Sequence, residues 1–329
     1  MCTAMTLQSM EGKNFLARTM DFSYEIDPTL YVFPRNHTWN NVLGTHTIRN
    51  RYQFMAVGQQ ADGLIAFFDG VNETGFAAAA LYFAGYAQYN MYLQHAGKER
   101  IPSLDALHYM LGNCGSVREL VELLPNVTIV GFEDPVTQTA APLHWIATDR
   151  TGECVVIEQT AAGLQAFQNE IGVMANSPGF LWHMTNLRNY AGVSPRQEEE
   201  AKWGNVVLRP FGQGAGTTGL PGGYTSPERF VRTSFLKAHT VTPKDDIDAV
   251  TACFHIMESV SIPKGVVVTS RETFDYTQYV ILINTDTCEY FFKTYDNPQI
   301  SVAGPLEEYH VTTPVSFGSI GGSPSYEKR

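Results

Sequence analysis

Cys2, Arg18 and Asp21 are the residues whose types and spacing could perform chemistry in this chain. Cys2 directly follows Met1, so removal of Met1 would leave a cysteine that carries a free α-amine. A thiol attacks as its thiolate, and a terminal α-amine titrates near neutral pH, so it can accept the thiol proton. One residue would then supply both a nucleophile and its base. A cysteine at position 2 is commonplace by itself, so this interpretation depends on the neighbours of Cys2.

A predicted hairpin supplies those neighbours. Residues 3–8 and 15–18 have the composition of two strands, and Glu11-Gly12-Lys13 is a turn signal between them. Hairpin geometry would return Arg18 and Asp21 to the side of the N-terminus. A cation beside a thiol favours the thiolate, and a carboxylate beside an amine orients it. The sequence therefore predicts a nucleophile, a base and an orienting group within the first hairpin.

The remaining pattern is one of strands, helices, strands, helices and strands. A second hairpin is predicted over 64–68 and 76–83, where the run 77–80 of four alanines favours a tightly packed central strand over a helix. Helices are predicted to begin at Ser103, Ser116, Ser226 and Thr242. Further strands are predicted over 127–130, 143–148, 154–158, 265–269, 276–284 and 289–295. Short turns join most strands, which indicates an α+β fold with antiparallel sheets and not a doubly wound βαβ fold.

Composition excludes several classes of protein. The chain has 329 residues, of which 44% are hydrophobic and 12% aromatic, so it is not disordered. The formal net charge of −11 argues against nucleic-acid binding and against an anionic membrane surface. No stretch approaches the roughly 18 apolar residues of a membrane span, and no signal-peptide pattern is present, so a cytoplasmic location is expected.

The other motifs carry less chemistry. Five widely spaced cysteines do not predict a disulfide framework, and the histidines lack metal-ligand spacing. Cys114, Cys154 and Cys253 are expected to be buried and inert. A formal G-x-G-x-x-G over 214–219 is followed by Leu-Pro-Gly-Gly, which rules out the helix that a dinucleotide site requires. Aromatic runs at 276–279 and 290–292 favour strand packing, with a ligand cleft as the alternative.

Residues 186–224 differ from the rest of the chain. They contain an acidic run over 198–200, interpreted as a solvated helix face, and a glycine-rich tail over 212–223. This segment is predicted to be an excursion that contacts another subunit.

Four ordered blocks resemble the choloylglycine hydrolase family of N-terminal nucleophile hydrolases, which comprises penicillin V acylases and bile salt hydrolases. The resemblance covers nearly the full chain. The blocks are Met1-Cys2-Thr3 with Leu16-Ala17-Arg18-Thr19-Met20-Asp21; Asn72-Glu73-Thr74-Gly75 with Ala80-Leu81-Tyr82-Phe83-Ala84-Gly85-Tyr86; Gly172-Val173-Met174-Ala175-Asn176-Ser177-Pro178; and Gly219-Leu220-Pro221-Gly222-Gly223-Tyr224-Thr225-Ser226-Pro227-Glu228-Arg229-Phe230.

The resemblance implies a fold and a role for each catalytic residue. The fold would be a four-layer αββα sandwich of two antiparallel sheets, formed by one domain over 2–329. Cys2 would be the nucleophile and its amine the base, with Arg18 near the thiol and Asp21 holding the amine. No metal or organic cofactor is implied.

A second group of residues would stabilise the reaction's charge. The side chain of Asn176 and the backbone N–H of Tyr82 would donate to the oxyanion, and Arg229 would complete the polar network. One such donor is commonly worth about 10²–10³ in rate.

Position 82 guides the expected substrate. Many bile salt hydrolases have Asn where this chain has Tyr82, and Tyr there resembles penicillin V acylases of Gram-positive type. Met20 and Tyr24 are expected as pocket walls, with simple core packing as the alternative. The expected activity is hydrolysis of penicillin V to phenoxyacetate and 6-aminopenicillanate.

Several alternatives stay open at the level of sequence. One is a conjugated bile salt hydrolase, and another is an acylase of acyl-homoserine lactones or other N-acyl amides. A non-catalytic binding protein that keeps the fold is the alternative from a different class. The expected partners are a small N-acyl amide and, through residues 186–224, other copies of the chain in a homotetramer.

Overall fold

The computed structural model describes residues 1–89, 98–134 and 137–324 of the chain. In chain order its strands are β1 (Cys2–Gln8), β2 (Asn14–Phe22), β3 (Thr29–Phe33), β4 (Thr38–Asn40), β5 (Thr47–Arg49), β6 (Phe54–Ala61), β7 (Leu64–Asn72), β8 (Ala77–Tyr82), β9 (Glu99–Pro102), β10 (Val127–Val130), β11 (Glu133–Asp134), β12 (Thr139–Ala140), β13 (Leu143–Thr148), β14 (Cys154–Thr160), β15 (Gly163–Gln168), β16 (Val173–Met174), β17 (Ala201–Trp203), β18 (Val206–Leu208), β19 (Tyr276–Asn284), β20 (Glu289–Thr294), β21 (Ser301–Ala303) and β22 (Val315–Ser319). The α-helices are α1 (Ala106–Asn113), α2 (Val117–Leu123), α3 (Phe180–Asn186), α4 (Ser226–His239) and α5 (Asp246–Glu258).

Two antiparallel sheets form the centre of the molecule. The first has six strands in the order β16-β1-β2-β19-β20-β21, and the second has eight in the order β15-β14-β13-β8-β7-β6-β3-β22. The N-terminal hairpin β1–β2 lies inside the first sheet, where β16 covers one side and β19 the other. Ala4 and Met5 of β1 thereby have strand partners on both sides.

The helices cover the outer faces of the two sheets. Helices α4 and α5 contact β1, and α5 also contacts β2 and β19, while α1 contacts β7 and β8 of the second sheet. Strands β1 and β2 face β8 across the interface between the sheets. This αββα order confirms the predicted α+β sandwich.

Small residues in β7 and β8 let α1 approach the second sheet closely. The four alanines 77–80 all lie in β8 and are at most 8% exposed, which confirms the predicted central strand. In β7, a Cβ atom on Gly70 would lie 2.4 Å from Leu111 Cδ1 of α1. Larger side chains at these positions would separate the helix from the sheet.

Two predicted helix starts are wrong by several residues. The helix predicted from Ser103 begins at Ala106, and the helix predicted from Thr242 begins at Asp246. In the second case the side chain of Asp245 accepts a hydrogen bond from Asp248 N at 2.9 Å and caps the helix. Asp245 thus supplies the N-cap that the sequence assigned to Thr242.

The other helix starts agree with expectation within one residue. Ser116 caps α2 by accepting from Glu119 N at 3.1 Å. Helix α4 begins at Ser226, but its N-cap is Thr225, which forms a reciprocal capping box with Glu228.

Two other predictions of local structure are wrong. Residues 265–269 form no strand, and only an isolated bridge joins Val268 to Phe274. The acidic run 198–200 is exposed but not helical, because it leads into the small hairpin β17–β18, whose turn contains Gly204 at φ +61°. Backbone in this left-handed region ends regular structure and favours glycine.

Residues 186–224 form a largely exposed surface segment that contains β17 and β18.

The single domain over 2–329 stays a prediction, because residues 90–97, 135–136 and 325–329 lie outside the described part of the chain. Within the described ranges, no helix has both the length and the apolar character that a bilayer crossing demands.

Candidate active site

The register of the first hairpin places Cys2 beside Arg18. Cys2 pairs with Met20 across β1 and β2, and Ala4 pairs with Arg18. Residues two apart on a strand share a face, so the side chains of Cys2 and Arg18 lie together on one face of the sheet. Arg18 Nη2 is 2.9 Å from Cys2 Sγ. The predicted contact between the cation and the thiol is present.

Arg18 is held by a buried anion from the opposite sheet. Its Nη1 donates to Asp69 Oδ2 at 3.0 Å, and both side chains are fully buried. The hydroxyl groups of Tyr279 and Tyr290 also donate to the Asp69 carboxylate. Burial opposes the charge of Arg18, but Cys2, Tyr279 and Asp69 outweigh it and raise the pKa of Arg18 above its usual value. The guanidinium is therefore a permanent cation beside the thiol.

Asp21 lies on the other face of β2. Its carboxylate accepts from Thr277 Oγ1 at 2.6 Å and from Thr19 Oγ1 at 3.1 Å, and it lies 3.6 Å from Arg229 Nη1. Burial raises the pKa of Asp21, and the charge of Arg229 opposes this shift. With Met1 attached, the Asp21 backbone N–H donates to Met1 O at 3.0 Å.

Asn176 joins Cys2 to the second sheet. Its Oδ1 accepts from Cys2 N and from Arg229 Nη2, each at 2.7 Å. Its Nδ2 donates to Tyr82 O at 2.7 Å. An amide NH₂ group has two hydrogens, so this bond leaves one for another acceptor. Arg229 also donates to Cys2 O at 2.6 Å, so the predicted polar network surrounds the backbone of Cys2.

The backbone of Tyr82 points toward Asn176. The next residue, Phe83, donates its N–H to Pro142 O, on the β13 side of the strand. Successive amides of a strand point to opposite sides, so the N–H and C=O of Tyr82 point away from β13. The C=O meets Asn176, which places the Tyr82 N–H along the same edge.

An apolar cleft opens beside Cys2. Its volume is about 950 Å³, including the part open to solvent. Most of its lining is aliphatic or aromatic, with few polar groups. The lining residues are Cys2, Met20, Phe22, Ile26, Val42, Gln59, Ala61, Leu64, Ile65, Ala66, Phe67, Phe68, Ala80, Tyr82, Leu104, Asp134, Thr137, Ala141 and Leu143.

The two expected pocket walls have different positions. Met20 lines the cleft, and its Sδ is 3.8 Å from Cys2 Sγ. Tyr24 is absent from the lining, because Arg271 holds it outside: the guanidinium lies over the Tyr24 ring at 4.3 Å and donates to its hydroxyl. The Phe22 ring, 5.4 Å from that of Tyr24, occupies the wall instead.

Sequence reasoning missed Asp69, Thr277 and His183. Asp69 ends the apolar run of β7, and an acidic residue that interrupts a buried strand is a usable signal for a functional carboxylate. Thr277 and Tyr279 fall in the aromatic run interpreted as strand packing, which is correct for the rings but omits their hydroxyl groups. His183 carries no local signal, because its contact with Asn176 depends on how α3 folds back.

The remaining expected thiols are buried. Burial raises the pKa of Cys114 and of Cys154 to about 12, and it raises that of Cys253 further. All three therefore remain thiols at neutral pH. Within residues 1–89, 98–134 and 137–324, no three His, Cys, Asp or Glu side chains are grouped as a metal would require.

Residues 2–313 match the sequence profile described as linear amide C–N hydrolases, choloylglycine hydrolase family. The chain belongs to this family and is a hydrolase of linear amide C–N bonds. It is 36% identical over 302 residues to a bile salt hydrolase/transferase from Clostridium perfringens, which covers 92% of this chain and 91% of that protein. A solved structure of a variant conjugated bile acid hydrolase from C. perfringens superposes with a TM-score of 0.91 at 32% identity, covering 100% of this chain and 99% of that one.

A penicillin V acylase is a more distant relative. The protein of that name from Pectobacterium atrosepticum is 26% identical over 305 residues, which cover 86% of this chain and 75% of that protein. Similarity is therefore greater on the bile salt hydrolase side of the family than on the penicillin V acylase side that Tyr82 suggested.

Proposed function

We propose that this chain hydrolyses conjugated bile salts, in preference to the penicillin V expected from its sequence. The observation that carries this proposal is the apolar cleft beside Cys2. Its lining is largely aliphatic and aromatic, which suits a large apolar acyl group. The 36% identical relative named as a bile salt hydrolase/transferase supports the same choice.

The proposed reaction begins when Met1 is removed. The α-amine of Cys2 then takes the thiol proton, and the thiolate sulfur forms a bond to the substrate carbonyl carbon while the carbonyl π electrons move to oxygen. The resulting ammonium returns its proton to the substrate nitrogen as the C–N bond breaks. Water, deprotonated by the same amine, then attacks the thioester carbon and releases the acid and Cys2. Arg18 favours the thiolate through its contact of 2.9 Å.

The oxyanion is proposed to bind between Asn176 and Tyr82. The Asn176 amide keeps one hydrogen beyond its bond to Tyr82 O, and the Tyr82 N–H lies along the same strand edge. Fixed donors at the site of developing charge are the usual origin of large rate effects. Arg229 and Asp21 have supporting roles: Arg229 donates to Cys2 O, and the Asp21 carboxylate lies 3.6 Å from Arg229 Nη1.

A cation near the cleft suits the anionic end of the substrate. Conjugated bile salts carry a carboxylate or sulfonate on the amine that leaves. Arg271 holds Ser23 and Tyr24, and its charge acts on the phenol of Tyr82 in the cleft. Arg18 and Arg229 are buried and bonded to protein groups. We therefore assign Arg271 to the substrate's anionic group.

Penicillin V is the second candidate, and Tyr82 is the observation that favours it. The Tyr82 ring lies 6.3 Å from the Phe22 ring, and both residues line the cleft beside Cys2. Two aromatic faces at this point could stack on a phenoxy ring. The compound also carries a carboxylate that Arg271 could bind.

Side-by-side kinetics decide between the two candidates. We expect kcat/KM for glycocholate or taurocholate to exceed that for penicillin V by at least about tenfold, which corresponds to about 1.4 kcal/mol of transition-state stabilisation. Cys2→Ser is the control, because a weaker nucleophile should nearly abolish turnover of all three compounds. Faster hydrolysis of penicillin V than of both bile salts would overturn the proposal.

A further inference from the structure

A buried histidine holds the backbone of Asn176. His183 lies on α3 and is 2% exposed, and its Nε2 is 2.8 Å from Asn176 O. A carbonyl oxygen can only accept, so Nε2 carries the hydrogen of this bond. The other ring nitrogen, Nδ1, is buried without a hydrogen-bond partner among the described residues. Burial lowers the pKa of His183 to about 4, which keeps the ring neutral at physiological pH.

The ring of His183 also links Asn176 to α4. It stacks on Phe230 with centroids 4.6 Å apart and planes 18° apart. Phe230 directly follows Arg229, whose Nη2 donates to Oδ1 of the same Asn176 at 2.7 Å. The backbone and side chain of Asn176 are thus fixed by two helices that pack together through His183.

The start of α3 is fixed independently. Glu158 on β14 accepts from Phe180 N at 2.9 Å, and the same carboxylate oxygen lies 3.4 Å from His144 Nδ1. A Cβ atom on Gly179 would lie 3.2 Å from Glu158 Oε2, so the glycine permits this close approach. The second sheet therefore sets the position of α3, and α3 sets the position of the Asn176 carbonyl.

We propose that His183 is a positioning residue for hydrolysis, acting through Asn176. The inference rests on the proposed role of Asn176 as an oxyanion donor. Its Nδ2 bonds to Tyr82 O across the gap between the sheets, so a shift of the Asn176 backbone moves this donor relative to the Tyr82 N–H. A misplacement of about 1 Å at a reacting centre can cost about 10² in rate. His183 prevents that shift.

The test compares two reactions of the same thiol. Hydrolysis of an amide needs the oxyanion donors, whereas alkylation of Cys2 by iodoacetamide passes through no oxyanion. His183→Phe keeps an aromatic ring on Phe230 but removes the N–H donor, and His183→Gln restores a donor near the position of Nε2. We expect His183→Phe to lower kcat about 10–100-fold with KM changed less than about threefold. The alkylation rate should change less than about twofold, and His183→Gln should recover most of the loss.

A matched control separates this effect from damage to the fold. His108 is also a buried histidine, with its ring stacked on Trp39 at 3.8 Å and no hydrogen bond to the site. His108→Phe should leave kcat unchanged. If His183→Phe fails to fold, His183→Met carries the same comparison.

Two results would overturn the inference. One is an equal fall in the rates of hydrolysis and of alkylation in His183→Phe, which would indicate general damage to the fold. The other is a kcat for His183→Phe equal to that of the wild type. The comparison uses whichever linear amide the wild-type enzyme cleaves, so a failure of the bile salt proposal leaves this test intact.

Discussion

At the scale of single residues, the site depends on a buried ion pair that connects the two sheets. Arg18 bonds to Cys2 on one side and to Asp69 on the other, with no exposure of either charged side chain. Taking such ions out of water is costly unless each finds partners. Tyr279 and Tyr290 also donate to Asp69. Three groups thus donate to this carboxylate, and Arg18 is held beside the Cys2 thiol.

Asp69→Asn should therefore destabilise the protein strongly. It leaves Arg18 as a buried charge without a counter-ion, and removal of one partner of such a pair typically costs about 3–5 kcal/mol of unfolding free energy. Urea denaturation measures the change. The control is Glu122→Gln in the exposed Arg118–Glu122 pair of α2, which should leave the midpoint unchanged. A urea midpoint for Asp69→Asn equal to that of the wild type would contradict this account of the buried ion pair.

The sequence predicted the immediate surroundings of Cys2 but not the buried carboxylate and hydroxyl groups that hold Arg18 in place. Cys2, Arg18 and Asp21 share one hairpin, so a two-strand register suffices to bring them together. Asn176, Tyr82 and Arg229 were assigned by resemblance. Asn176 and Arg229 bond to the backbone of Cys2, and Tyr82 joins them through Asn176. Asp69 lies on the opposite sheet, and pairing between sheets is a long-range property that local periodicity does not encode.

At the scale of elements, α3 and α4 hold the loop that carries Asn176. The capping box of Thr225 and Glu228 fixes the start of α4 at Ser226, three residues before Arg229. Burial of His183 in α3 lowers its pKa from 6.5 to about 4. The charged and titratable groups that act on this ring are His144, Glu158 and Arg229.

The depressed pKa of His183 predicts a pH-dependent stability difference. His183 is protonated near pH 6.5 in the unfolded chain, but only near pH 4 in the folded chain. Wild-type stability should therefore fall through this window as pH decreases, by up to roughly 3 kcal/mol from this group. His183→Phe lacks the effect, so its stability deficit relative to the wild type should be greatest near neutral pH and shrink toward about pH 4.5. A deficit that is constant with pH, measured by urea denaturation, would contradict the assignment.

Element boundaries show where sequence reasoning reaches its limit. The alanine run was correctly predicted as a strand, because the hairpin turn before it and the aromatic residues after it constrain it. Helix α5 was placed several residues too early, since Thr242-Pro243 and Asp245 both resemble starts and only the observed bond to Asp248 N decides between them. Residues 265–269 have strand composition, but their pairing is limited to the isolated bridge between Val268 and Phe274.

At the scale of the whole molecule, residues 186–224 leave apolar side chains in solvent. Trp203 is 75% exposed, Val206 58%, and Phe211 fully exposed. Large exposed apolar side chains grouped on one segment are typical of interfaces. We propose that this segment mediates the homotetramer expected from the sequence.

Polar substitutions in this segment test the assembly. Trp203→Ser combined with Phe211→Ser should reduce the mass measured by sedimentation below that of the tetramer proposed for the wild type, because the apolar contact area is lost. Exposed Ile247→Ser on α5 is a matched control, since that side chain is 78% exposed outside the segment. A wild-type monomer, or a tetramer unaffected by the double substitution, would contradict the proposal.

The central claim is that Cys2 acts as an N-terminal nucleophile whose own amine is the base. With Met1 attached, the nitrogen of Cys2 is an amide bonded to Asn176 Oδ1, so the proposed mechanism requires the loss of Met1. The most direct measurement is the intact mass of the purified enzyme together with amide hydrolysis by the same sample. The account predicts that the active protein begins at Cys2 and that a sample with Met1 retained is inert. Full turnover by protein that still carries Met1 would contradict it.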